Sequence, residues 1–290
     1  MRLRRFISLY FAITTLLLAS PRLLAHCESG TICTCPNCPR LERSYRHGRW
    51  FVIETENFQI CSDESESRAR QLARHSETLR IELTSKWFGK ASSKPCAPKC
   101  QIVLHSSKSS YVAAVGRGGE RTVGSSAVRV YKGQLTSCRI DLLGGRTEFL
   151  SAALPHELTH IVLRARFPSM QMPRWADEGM AMLADTEAKQ SRHRKDLNGA
   201  IAHGTTFNVA LLVTMEEYPR LDRWGAFYGQ SVSLTEFLVE RKTPEQFVNF
   251  IERAAENGYD AALQECYGIS NLAELDHQWR RQLYSTVAAL

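Results

Sequence analysis

Residues 138–166 read CRIDLLGGRTEFLSAALPHELTHIVLRAR, and the character of the chain changes within them. Cys138–Leu143 alternates in the two-residue period of a strand, whereas from Thr147 the apolar residues recur at helical spacing. Inside that second stretch His156, Glu157 and His160 form the pattern H-E-x-x-H. On a helix, residues four apart share a face, with Cβ atoms about 5–6 Å apart. Two imidazoles so placed reach a single Zn²⁺ at about 2.0–2.1 Å. Glu157, on the adjoining flank, is then near enough to act as general base on a water activated by the metal. Pro155 stands just before the motif, either as a kink or as the first residue of a helix that begins there.

Working outward from this changeover, the earlier chain is strand-rich and the later chain helical. Trp50–Glu54 and Phe58–Cys61 read as strands joined at Glu56-Asn57. Glu64–Trp87 reads as a helix with Ser62 or Asp63 as N-cap and Gly89 past its end. Gln101–His105 and Ala127–Tyr131 are further strands, and Ser109–Val115 is a short helix stopped by Gly116. Beyond Thr147, Trp224–Arg241, Pro244–Asn257 and Asn271–Tyr284 are helical. Strands first and helices afterward predict an α+β fold: an N-terminal mixed or antiparallel sheet, then a mostly helical half carrying the H-E-x-x-H helix.

A third ligand is needed to hold a metal while leaving a position open for water. Extension to H-E-x-x-H-x-x-G-x-x-H fails, because Leu163 and Arg166 stand at the glycine and third-histidine positions. An acid does better: Pro173-Arg174-Trp175-Ala176-Asp177-Glu178-Gly179-Met180-Ala181 begins soon enough after His160 for a turn and a returning helix. H-E-x-x-H followed by W-x-[ND]-E-G-x-A resembles the gluzincin metallopeptidases, above all the small peptidase MA-like domains, with a relation to the M1 aminopeptidases. The resemblance implies that Glu178 is the third ligand of one Zn²⁺ per chain, with Asp177 as rival ligand or outer partner. It also implies a peptide or protein substrate. Phe227-Tyr228-Gly229-Gln230-Ser231 is similar to the tyrosine segment that follows the glutamate helix in such domains. Tyr228 is thereby either a donor to the oxyanion of peptide hydrolysis or a core aromatic with a satisfied hydroxyl. His75, His105, His203 and His277 stand alone and read as structural or solvated.

The rest of the chain bears on compartment and partners. Arg2, Arg4 and Arg5 precede an apolar run from Phe6 to Ala19, then Pro21 and a small residue at Ala25. This is the pattern of a secretory signal peptide over residues 1–25, too short in its apolar run to be a membrane span. A secreted, periplasmic or cell-envelope location is expected after cleavage near Ala25, with no stable membrane span. Four of the 37 basic residues lie in that segment, leaving 33 against 30 acids. So even a balance carries no footprint for nucleic acid. All nine cysteines follow the leader, which predicts disulfides in an oxidising compartment, with at least one sulfur left over. Residues 26–48, which hold Cys27, Cys33, Cys35 and Cys38, read as a Cys-rich segment stapled by disulfides or by a metal. Residues 49–290 read as the peptidase domain. Oligomeric state is not legible. The competing class is a non-catalytic envelope binding module stabilised by zinc and disulfides, but such a module has no use for Glu157.

Overall fold

The computed structural model describes residues 41–91, 94–145 and 149–287, with side chains through 284. The leader 1–25 and the cysteines at 27–38 lie outside the described residues. Six strands form one sheet: β1 (Leu41–His47), β2 (Trp50–Thr55), β3 (Phe58–Ser62), β4 (Cys100–His105), β5 (Gly124–Tyr131) and β6 (Gln134–Leu143). Their spatial order is β1-β2-β3-β4-β6-β5. The central strands β3, β4 and β6 run parallel, while β1, β2 and β5 pair antiparallel with their neighbours. The sheet is therefore mixed, and the helical half follows it, as the strand-to-helix changeover predicts. Residues 41–47, placed above in the Cys-rich segment, are strand β1. Their side chains are almost all exposed, so no buried face imposed the alternation by which a strand is recognised.

Parallel neighbours need a long crossover, and helix α1 (Glu66–Phe88) supplies the one between β3 and β4. Its N-cap is Ser65, whose hydroxyl accepts the Arg68 N–H at 3.2 Å, rather than Ser62 or Asp63. Those two are engaged elsewhere: Ser62 Oγ caps the Glu64 N–H and Asp63 Oδ1 accepts from Ser106 N. Gly89 ends the helix at φ +71°, the left-handed conformation that costs glycine least. After the short helix α2 (Lys108–Val115), β5 and β6 form a hairpin across Lys132-Gly133, both at positive φ, as a two-residue turn between right-twisted strands requires.

The core lies between one face of this sheet and the helices. Ile53, Ile60, Ile102, Leu104, Ile140 and Leu142 meet Leu72, Leu83 and Trp87 of α1 and Leu154, Leu158 and Ile161 of α3 (Leu154–Arg166). One turn of π-helix, Phe149–Ala153, leads into α3, and Pro155 occupies its first turn, where no N–H is needed. Then follow α4 (Arg174–Met182), α5 (Glu187–Ala202), α6 (Val209–Val213), α7 (Trp224–Arg241), α8 (Pro244–Asn257), α9 (Tyr259–Tyr267) and α10 (Leu272–Val287). Among the described residues no helix is long and apolar enough to cross a membrane.

The expected disulfides are not found among the described residues: Cys61, Cys96, Cys100, Cys138 and Cys266 are all free thiols. Compartment chemistry predicts bridges without regard to position. The fold puts Cys61 on β3 and Cys266 on α9, separate elements with no bridging partner for either.

Candidate metal centre

Helix α3 presents its buried stripe, Leu158, Ile161 and Val162, to the core and leaves His156 and His160 on the neighbouring face. The two imidazole centroids are 5.0 Å apart. Helix α4 returns beside α3 and brings Glu178, 8% exposed, to the same place. One donor atom from each of His156, His160 and Glu178 lies within 4.8 Å of the other two. His156 turns Nε2 toward Glu178 Oε2, at 3.8 Å, and Nδ1 toward Asp185 Oδ1, at 3.4 Å. Asp177 Oδ1 stands 3.0 Å from His160 Nδ1. Asp177 thus sits behind His160, in the position of an outer partner that orients the ring, and not among the three converging donors.

Charge is concentrated here. Burial by itself would lower the His160 pKa, but Asp177, Glu178 and Glu157 outweigh it and push the value up to about 10. Without a metal the ring therefore carries a proton, and a cation entering the site would displace it. Neither His156 Nδ1 nor His160 Nδ1 has a well-aligned hydrogen bond, although both are buried. Two imidazoles and a carboxylate whose donor atoms converge, with Asp185 and Asp177 behind the two rings, suit Zn²⁺. The donor set fits the group.

Glu157 does not join the three donors. Its side chain lies beside Gly124 at the start of edge strand β5, where an added Cβ would come within 3.0 Å of Glu157 Cγ and 3.1 Å of Oε1. Only glycine leaves room for the carboxylate at that point. Tyr228 is in the second turn of α7, partly buried with Trp224, Phe227 and Tyr218 around it. Burial and then the Glu178 charge hold its phenol well above the usual range, so it keeps its proton as a donor.

Three residues join the site that the motifs did not announce. The Tyr218 hydroxyl donates to Glu178 Oε1 at 2.5 Å, with the Arg174 guanidinium over its ring at 4.6 Å. Asp185, its side chain 1% exposed, faces His156, His193 Nε2 at 3.8 Å and Lys189 Nζ at 3.0 Å. Burial alone would raise its carboxyl, but the facing His156 and His193 and the Lys189 charge hold it well below the ordinary carboxylate range. His193, on α5, also flanks Tyr228, their rings 6.3 Å apart. Asp185 stands in the turn between α4 and α5 and His193 within α5, a placement that carries no signature along the chain. Of the isolated histidines, His105 is buried between Ser110 (2.9 Å) and Asp141 (2.7 Å), and His75 meets Leu150 O at 3.2 Å. His203 is exposed, its Nδ1 2.7 Å from Gly199 O.

Two glycines set the separation of the helices that carry these groups. A Cβ on Gly179 would fall 2.1 Å from Thr235 Oγ1 and 2.7 Å from Ser231 O on α7, and one on Gly229 would fall 2.8 Å from His193 O on α5. Gly179→Ala is expected to cost about 1–3 kcal/mol, the usual penalty for overpacking, because the Ser231 carbonyl belongs to a helix and cannot swing away. Chemical denaturation measures this. An unchanged midpoint would show that α4 and α7 separate freely.

A mixed sheet followed by helices that assemble H-E-x-x-H with a returning acid defines a metallopeptidase-like domain. The model of the peptidase MA superfamily matches residues 136–285, and the chain belongs to that superfamily. Its members are generally zinc-dependent and act as peptidases, so peptide or protein substrates follow for an active member. The relation to M1 aminopeptidases rests on motif resemblance only. A search of curated proteins finds no match.

Proposed function

We propose that this chain is an exported, zinc-dependent metallopeptidase of gluzincin type, with a leader at 1–25, a Cys-rich segment at 26–48 and the peptidase domain beyond. Strand β1 joins that domain through its pairing with β2. The observation that carries the reading is the convergence of His156, His160 and Glu178, with the Glu157 charge near enough to act on His160. These three residues would hold one Zn²⁺, which when bound supplies Lewis acidity to a scissile carbonyl and acidifies water. Glu157 takes the proton of the attacking water and returns it to the leaving amine. Asp185 and Asp177 fix the two imidazole orientations from behind, as outer carboxylates do for metal-ligating histidines. Tyr218 steadies Glu178 through its hydroxyl, and Tyr228 donates to the developing oxyanion. Secretion or residence in the cell envelope follows from the leader.

Zinc analysis of the purified chain, followed by digestion of a mixed peptide library, tests this reading. One zinc per chain with hydrolysis that a chelator abolishes is the expected result. Zinc without hydrolysis would favour the non-catalytic binding module, and no bound metal would end both readings. The two tyrosines separate in kinetics. Tyr228→Phe is expected to lower kcat by about 10²–10³ at nearly constant KM, the loss usual for one oxyanion donor. Tyr218→Phe is expected to weaken metal retention instead, since its hydroxyl bonds Glu178. A kcat within threefold of wild type for Tyr228→Phe would remove that residue from the mechanism.

A further inference from the structure

Cys100 opens β4 and Cys138 lies in β6, and these strands are parallel neighbours. Their register pairs Gln101 with Arg139 and Ile102 with Ile140, so one step back along it sets Cys100 opposite Cys138. Both side chains lie on the core face with Ile102, Leu104, Ile140 and Leu142, and both are buried. Adjacent strands run about 4.7–4.9 Å apart, inside the Cα separation of about 4.4–6.8 Å that a disulfide spans. The Cys100 sulfur lies 3.8 Å from Gln101 O, and the two thiols are close enough to shift each other's pKa. The Cys138 sulfur also lies 3.8 Å from Pro98 O. Alternatives are poorer. Cys61 alternates to the opposite face of the sheet from its neighbour Ile60. Cys266 sits on α9, and Cys96, near the pair and 3.3 Å from Arg80 Nε, precedes β4 and stands outside its register with β6. None of these sulfurs belongs to the metal-ligand group.

We propose that Cys100 and Cys138 are a redox pair that closes a disulfide between β4 and β6 when the chain meets a disulfide oxidant. Cys138 is the less buried of the two, and the pair's interaction lowers its pKa while it and burial raise that of Cys100, so Cys138 is the first nucleophile. Its thiolate attacks one sulfur of an oxidant such as oxidised glutathione, the oxidant's S–S bond breaks, and one glutathione leaves and takes up the Cys138 proton. Cys100 then loses its proton, and its thiolate attacks the Cys138 sulfur to form the protein disulfide and expel the second glutathione, which takes up that proton. Two cysteine thiols are oxidised by two electrons in all, and one glutathione disulfide is reduced to two thiols. The bond ties the parallel strands across the segment that carries α2 and β5. It does not depend on the metallopeptidase reading.

The full chain, refolded from denaturant in a glutathione redox buffer so that burial cannot block exchange, provides the test. After alkylation in denaturant and proteolysis without reduction, mass spectrometry is expected to find a linked pair of peptides containing Cys100 and Cys138. That pair would weigh about 2 Da less than the sum of the two thiol peptides. Cys61 and Cys266 are expected to be alkylated, Cys100→Ser and Cys138→Ser each to lose the link, and the oxidised wild type to melt above its reduced form. Full alkylation of both Cys100 and Cys138 at equilibrium would overturn the proposal. So would a predominant link from either of them to Cys96 or to the cysteines at 27–38.

Discussion

Replacing Glu157 by Gln is expected to leave about one zinc per chain in place and to lower peptide hydrolysis by about 10²–10⁴, the contribution usual for a positioned general base. The two halves of this result have separate causes. Glu157 stands outside the group of converging donors, so its amide takes nothing from the metal. An amide cannot accept the proton of the attacking water, so turnover fails while binding persists. Fold stability is expected to hold, because Gln keeps the shape that fits beside Gly124 of β5. Zinc content, thermal unfolding and single-turnover hydrolysis on one preparation check all three. Undiminished turnover, with wild-type contamination excluded, would remove Glu157 from the mechanism.

Glu178→Ala is expected to have the largest effect on metal binding. Glu178 is the acid whose oxygen faces His156 Nε2, whereas Asp177 lies against His160 Nδ1. Removing a ligand from a site that exists only in the folded chain withdraws the stability that binding contributes. That contribution amounts to about 2.7–4.1 kcal/mol when free zinc is 100 to 1,000 times its dissociation constant. Asp177→Ala and Asp185→Asn are expected to cost about 10–100-fold in affinity, as losses of orienting partners do. The measurements are competition against a chelator and the zinc-dependent shift in melting temperature. Equal zinc retention by Glu178→Ala and wild type would reassign the third ligand, and a larger loss in Asp177→Ala would name its replacement.

The parts of this protein legible along the chain are those that depend on neighbours within a turn or two. Strands β2 to β4, the body of α1 and helices α7 and α8 were marked by apolar period and by Gly or Pro at their ends. His156 and His160 were legible for the same reason, since a four-residue spacing on a helix puts two rings on one face without any help from the fold. Glu178 was found by resemblance, because its distance from His160 through space depends on how α4 returns. Strand β1 escaped notice since its exposed side chains carry no alternation, and the N-cap of α1 went to Ser65 because Ser62 and Asp63 bond elsewhere.

Tertiary structure alone decided which groups stand behind the first three. Tyr218 lies 40 residues from the carboxylate it bonds, and Asp185 meets both His156 and His193 only because α5 packs on α7 and α4 on α7 through the bare faces of Gly229 and Gly179. Likewise only the parallel register of β4 and β6 sets Cys100 opposite Cys138. Local spacing determines what one helix or strand presents. The meeting of two elements depends on side-chain volumes and close backbone approach at their contact, and those belong to the packed chain.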